Sequence, residues 1–216
     1  VCGRFTLIQW VDLAERFGIR ALDLIPRYNI APGQDVPVII GGKQRRLRLF
    51  KWGFEFPPRK GGKKGYLVIN ARAETLETKS FRSDLQHRRC LVPADGFYEW
   101  AGEKGVRLPY RYSLKGGKLF AFAGLWRILR TPQGEEKFTF CIITTAANDL
   151  VRQVHDRMPA ILAPGDESRW LDTRERDIKS LKKMLAPYPS EELSVTKASL
   201  LVNNPGNEGP DLINPD

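Results

Sequence analysis

Cysteine is scarce in this chain and poorly placed for cross-linking: Cys2, Cys90 and Cys141 are an odd three, far apart, with no C-x-x-C pair. A disulfide scaffold and a structural zinc site are both excluded on that pattern. Histidine is scarcer still, with only His87 and His155. No apolar run approaches the ~18 residues of a membrane span. The N-terminus lacks a basic stretch followed by an apolar run, so it does not read as a secretory signal, and the cytoplasm is the expected location. There is no Gly-rich phosphate loop, H-E-x-x-H, G-x-S-x-G or dinucleotide fingerprint. ATP-driven, zinc-protease and dehydrogenase chemistry therefore fall away, and neither a metal nor an organic cofactor is implied.

What is abundant is positive charge. The 216 residues carry a formal net charge of +10, and the pI is near 9.7. A surplus of that size favours polyanionic partners, of which nucleic acid is the commonest in a cytoplasm. Hydrophobic residues make up 42% and charged residues 28%, the balance of a soluble globule with enough chain for a real core.

The pattern predicts many short strands. Residues 36–40 and 46–54 read as strands joined through Gly41-Gly42, the second alternating basic and apolar residues. A third covers 67–72 and ends in polar groups. Residues 88–100 read as two short strands around the Asp95-Gly96 turn, and 110–114, 120–126 and 138–144 supply three more. Short helices are expected at 10–18, 149–154, 166–171 and 177–185. Residues 27–33 look irregular, and the tail around Asn203-Asn204-Pro205-Gly206 has little pattern of its own. With few helices, no βαβ rhythm, no repeat and no clear linker, the chain reads as one β-rich mixed domain of the α+β class over residues 1–216.

Several residues stand out chemically, each with an ordinary structural reading beside the functional one. Val1 reads as the product of a GTG start codon, whose removal leaves Cys2 with a free α-amine beside its thiol. Both groups titrate near pH 8–9, and together they condense with an aldehyde to a five-membered thiazolidine or act as an N-terminal nucleophile. If Val1 stays, the amine is blocked; the plain alternative is a packed cysteine. Glu99, between Tyr98 and Trp100, is either a partly desolvated acid/base or an edge glutamate facing water. His155, in a loop with Asp156 and Arg157, is either a proton carrier or structural. Asn70 and Arg72, two residues apart on a strand, share a face and suit orienting and phosphate-holding roles, or plain capping. Trp52 and Trp100 offer stacking surfaces for bases, or core. The basic stretch 57–65 is a solvated linker or a phosphate contact.

In order along the chain, Cys2-Gly3-Arg4-Phe5, Tyr28-Asn29-Ile30-Ala31-Pro32, Trp52-Gly53, 70–75, 89–100, 144–148 and His155-Asp156-Arg157-Met158-Pro159 resemble the SRAP family, the SOS-response-associated peptidases understood as abasic-site processing proteins. The resemblance runs from Cys2 to about Asn204. It implies the SRAP fold, a curved, barrel-like sheet with a few short helices around it. It also implies capture of abasic sites in single-stranded DNA through a thiazolidine crosslink at Cys2. Glu99 and His155 then move protons, Asn70 holds the Cys2 amine, and Arg4, Arg72 and Arg157 hold phosphates. The resemblance further implies lyase-type Schiff-base chemistry; association with the nucleoid is the expected location, and a monomer is expected because the substrate needs only one site. Two alternatives stay open: a Cys2-dependent peptidase, including removal of residue 1, and a nucleic-acid-binding module without chemistry.

Overall fold

A computed structural model describes residues 2–20, 23–41, 44–56, 65–102, 107–130 and 133–214. Strand β1 (Phe5–Leu7) leads through helix α1 (Leu13–Phe17) to β2 (Arg27–Ile30), β3 (Asp35–Ile40) and β4 (Arg46–Trp52). The antiparallel pair β5 (Phe54–Phe56) and β6 (Tyr66–Val68) follows, then β7 (Asn70–Arg72) and helix α2 (Arg82–His87). Next come β8 (Arg89–Ala94), β9 (Gly96–Ala101), β10 (Leu108–Leu114) and two long strands, β11 (Phe120–Arg130) and β12 (Glu136–Ala146). The last third holds α3 (Asp149–Arg152), β13 (Arg157–Pro159), α4 (Glu167–Leu171), α5 (Ile178–Lys183) and β14 (Leu193–Lys197). The class is α+β, mostly strand with short helices. No helix among the described residues is long and apolar enough to cross a membrane.

One sheet closes on itself. β8 pairs with β11, β11 with β12, β12 with β4, β4 with β3, and β3 returns to β8 through Ile39 and Leu91. Closure removes the exposed edges of this five-stranded ring. Two short strands join the C-terminal half of β12, β7 in parallel and β13 antiparallel. A second sheet, in the order β14-β10-β9-β1-β2, lies against the barrel. Aromatic rings fasten the two: Phe5 of β1 meets Trp52 of β4 at 5.2 Å and Phe122 of β11 at 5.6 Å, both edge to face. Trp52 is fully buried and its indole N–H donates to the Ile69 carbonyl at 3.0 Å, so its expected role in stacking on DNA is withdrawn.

Three segments differ from the sequence reading for identifiable reasons. The strand expected over 46–54 breaks at Gly53, whose φ is +126° and where a Cβ would lie 2.4 Å from Leu67 Cγ. Only glycine suits that backbone and that approach. The strand expected over 67–72 divides at Ile69, because β6 pairs with β5 whereas β7 turns to β12. Asp95-Gly96 does not close a hairpin. It carries the chain from the barrel into the second sheet, with β8 on β11 and β9 on β1 and β10.

Asp95 anchors that crossing. Its buried carboxylate accepts from the Thr6 hydroxyl, the Ile8 and Gln9 N–H groups and the Arg111 guanidinium. The tail is not featureless either. The Asn29 amide donates to the carbonyls of Val202, Asn204 and Asn207, and Glu208 pairs with Arg27 at 2.8 Å. Within the stretch expected to be irregular over 27–33, Arg27–Ile30 is thus strand β2, clasped by the C-terminal segment; β13 and β14 had no clear signal in the sequence.

Candidate active site

Backbone register brings four distant segments together. β1 runs antiparallel to β9 with Phe5 opposite Phe97, and Tyr98 N–H donates to the Arg4 carbonyl at 3.0 Å. Continued three residues toward the N-terminus, that register sets Gly3 opposite Glu99 and Cys2 opposite Trp100. On the barrel side, Asn70 opens β7 opposite Ile142 of β12, and β13, entered from His155, pairs with the end of the same β12. Cys2 thus meets groups from both sheets.

The contact that joins the sheets is direct. Asn70 Nδ2 donates to the Cys2 carbonyl at 2.9 Å. Its Oδ1 is buried with no hydrogen-bond partner among the described residues. A buried acceptor left in that state costs about 1–3 kcal/mol, so it marks a position kept for something other than stability. Asn70 is half-buried, Ala71 buried and Arg72 exposed, so the expected shared face of Asn70 and Arg72 is the open one.

Glu99 is 4% exposed, and burial pushes its carboxyl up to about 7, with the Asp156 charge adding to the rise. At neutral pH the protonated and ionised forms are comparably populated, the condition for both giving and taking protons. The Cys2 thiol is fully buried; burial first, then the Glu99 charge, raises its pKa well above the usual thiol range. Among the described residues it has one weak partner, donating to the Arg4 carbonyl at 3.9 Å. His155 is shifted down, chiefly by burial and further by Arg157 and Arg107, against the pull of Asp156. Its ring is therefore largely neutral near pH 7.

The arginines differ. Arg4 spends its donors on Asn29 Oδ1 at 2.8 Å and on the Val202 and Asn203 carbonyls, and lies 5.8 Å from the Trp100 ring. Arg157 grips both carboxylate oxygens of Glu74, at 2.7 and 2.9 Å, and also the Thr144 carbonyl. Its Nε is buried with no partner among the described residues. Arg72 is exposed at the end of β7. Trp100 is half-buried, its indole N–H donating to Asn203 Oδ1 at 2.7 Å. The basic stretch 57–65 lies outside the described residues apart from the exposed Gly65.

Two participants escaped the sequence reading. Tyr112, on β10, stacks on Phe97 at 5.2 Å, and burial plus the Glu99 charge push its hydroxyl up to about 12. Nothing local in the sequence marks it, because its relation to Glu99 exists only through the β9–β10 register, Tyr112 opposite Phe97 and Tyr110 opposite Glu99. Asp156 acts electrostatically on both Glu99 and His155. Its signal was its place beside His155. No cluster of three or more His, Cys, Asp or Glu able to hold a metal occurs among the described residues.

Comparison with known proteins adds three results. The family model for the SOS response associated peptidase (SRAP) matches residues 1–205. The abasic site processing protein YoqW of Bacillus subtilis is 43% identical over 221 residues, covering 99% of both chains. Its Escherichia coli counterpart YedK is 32% identical with both chains fully covered, and HMCES of Xenopus tropicalis is 30% identical over 86% of this chain and 65% of its own. Among solved structures, a Bacteroides thetaiotaomicron protein superposes with a TM-score of 0.82 at 26% identity, over 98% of each chain.

Proposed function

Because the chain belongs to the SRAP family, we propose that it processes abasic sites by capturing them, in single-stranded DNA, as a thiazolidine at Cys2. The observation that carries this reading is the Asn70 amide bound to the Cys2 carbonyl beside a Glu99 carboxyl that titrates at about 7. Relatives named abasic site processing proteins at up to 43% identity over nearly the full chain support it.

The chemistry begins with residue 1. While Val1 is attached, the Cys2 nitrogen is an amide and cannot attack a carbonyl, so hydrolysis of the Val1–Cys2 bond comes first. The freed amine adds to the aldehyde carbon of the ring-opened sugar, giving a carbinolamine. Loss of its hydroxyl as water, with a proton from Glu99 or His155, gives an iminium. The Cys2 sulfur then adds to the same carbon as its proton passes to a nearby base. The ring closes with net loss of one water. Asn70 keeps Cys2 in register through its carbonyl, and its open Oδ1 is an acceptor for the amine or a sugar hydroxyl. Arg72, exposed beside Asn70, is the arginine free to hold a phosphate; Arg4 and Arg157 are positioned by internal partners and shape the site wall.

A second reading, a Cys2-dependent peptidase, is favoured by the family's own description. Against it, the Cys2 thiol is buried and its pKa is raised, the reverse of an activated cysteine nucleophile. The test incubates protein whose N-terminus has been verified by mass with single-stranded DNA carrying one abasic site. A heat-stable adduct on a denaturing gel is expected, absent with intact DNA and with Cys2→Ala. No adduct from a chain with a proven free Cys2 refutes the reading and puts the peptidase first.

A further inference from the structure

We propose that Asp156 is a positioning residue for the proton carriers of this site, setting which partner His155 Nδ1 takes and when. The activity arm rests on the crosslinking reading above; the geometric argument does not.

Asp156 Oδ1 lies 2.8 Å from His155 Nδ1, and the Arg157 backbone N–H donates to the same Nδ1 at 2.9 Å. One ring nitrogen cannot satisfy both. It accepts from Arg157 N–H only with a lone pair, and it gives a proton to Asp156 only when it carries one. Both competitors are held by the backbone. Arg157 is paired with Ala146 at the start of β13, and the Asp156 carbonyl accepts from Ala147 N–H at 2.9 Å. The ring therefore exchanges partners as it titrates. Neutral, it hangs from Arg157 N–H with its proton on Nε2; protonated, it turns Nδ1–H over to Asp156. Nε2 carries a proton in both of these states, so toward substrate the ring is a donor; giving that proton up from the imidazolium leaves the Nδ1–H tautomer held by Asp156.

The charges around this pair oppose one another. Burial first, and then Arg157 and Arg107, favour the neutral ring, while Asp156 favours the imidazolium. The same carboxylate raises the Glu99 pKa, so it favours a proton on both carriers at once. The Asp156 side chain is 86% exposed, so its pull is that of a screened surface charge. A pair of that kind changes the protonated-to-neutral ratio by about 1.4- to 5-fold.

The test uses the full chain and has two arms. With only two histidines, NMR titration of the imidazoles is assigned by one His87→Gln spectrum. The high-pH state of His155 should show the Nε2–H tautomer. Asp156→Asn should lower the protonated-to-neutral ratio of His155 at fixed pH by the factor above, and Asp156→Glu should return part of it. The second arm measures single-turnover adduct formation against pH at saturating abasic single strand. Asp156→Asn should move the acid limb to lower pH. A His155 titration that ignores the substitution overturns the proposal, whatever the adduct does. A moved titration with an unmoved pH profile overturns the positioning role. Absence of any wild-type adduct from a verified free Cys2 terminus refutes the crosslinking reading instead, and the NMR arm alone then decides Asp156.

Discussion

Replacing Glu99 by glutamine should make the protein more stable, and by far more at pH 8 than at pH 5. Burial lifts this carboxyl from an ordinary 4.5 to about 7 in the folded chain. Between those values the folded chain holds a proton that the unfolded chain has released. Stability must therefore fall as pH rises from 4.5 through 7, the opposite of a salt-bridged carboxylate. Integrating the linkage relation over that shift gives a loss of about 2.5 kcal/mol for the wild type between pH 5 and pH 8. Glutamine keeps the shape and stays neutral, so that component of the loss vanishes. Urea unfolding of both proteins at the two pH values is the assay. The gap between their midpoints should open by about 1 M at pH 8, taking a denaturant slope of about 2–3 kcal/mol per molar. Wild type and variant that run parallel from pH 5 to pH 8 refute the buried-acid argument, and with it the assignment of Glu99 as a carrier poised near neutrality. On the crosslinking reading the same variant forms adduct more slowly, so stability and activity move in opposite directions.

Other outcomes follow from single contacts. Gly53→Ala forces a Cβ into Leu67 at a φ of +126°; it should cost about 2 kcal/mol in urea unfolding and, by displacing the strand that leads into Asn70, slow adduct formation. Asn70→Ala leaves the fold in place but frees the Cys2 carbonyl, and the adduct rate should drop about 100-fold with affinity for intact strand little changed. Asp95→Asn strips the charge that Arg111 and three other donors converge on, and should lower stability by about 3 kcal/mol, read as a fall in the unfolding midpoint. Arg72→Gln should lower the slope of log affinity against log salt for single-stranded DNA by about one, the signature of one lost phosphate contact.

The sequence carried the fold class and most strands because period-two alternation survives where one strand face is wet, as in 46–52, and a short apolar run marks a strand buried on both faces, as in 138–144. It failed where three-dimensional neighbours decide. Gly53 and Ile69 break apparently continuous strands because Leu67 and β12 compete for the chain. Asp95-Gly96 has the letters of a hairpin turn, yet Thr6 and Arg111 pull the carboxylate into a crossing between sheets. Trp52 is apolar enough for either a core or a stacking surface, and only its indole contact with Ile69 decides. The chemical groups at the site were legible by type. What they do to one another was not, because Cys2, Asn70, Glu99 and His155 meet only through the registers of β1 on β9 and of β7 and β13 on β12.

That arrangement also orders the proposed steps. Burial and the Glu99 charge both oppose ionising the Cys2 sulfur, so a thiolate-first attack is the least accessible path. The amine attacks in its neutral form, which burial favours, so it carries no such penalty once residue 1 is gone. Imine formation thus precedes sulfur addition. The iminium it creates puts a positive charge within bonding reach of the thiol, and that charge reverses the local balance by favouring the thiolate. Glu99, having given its proton to the departing water, would by then be anionic and ready to accept the thiol's. A single carboxyl held near 7 can serve both halves of the reaction because each half restores the protonation state that the other requires.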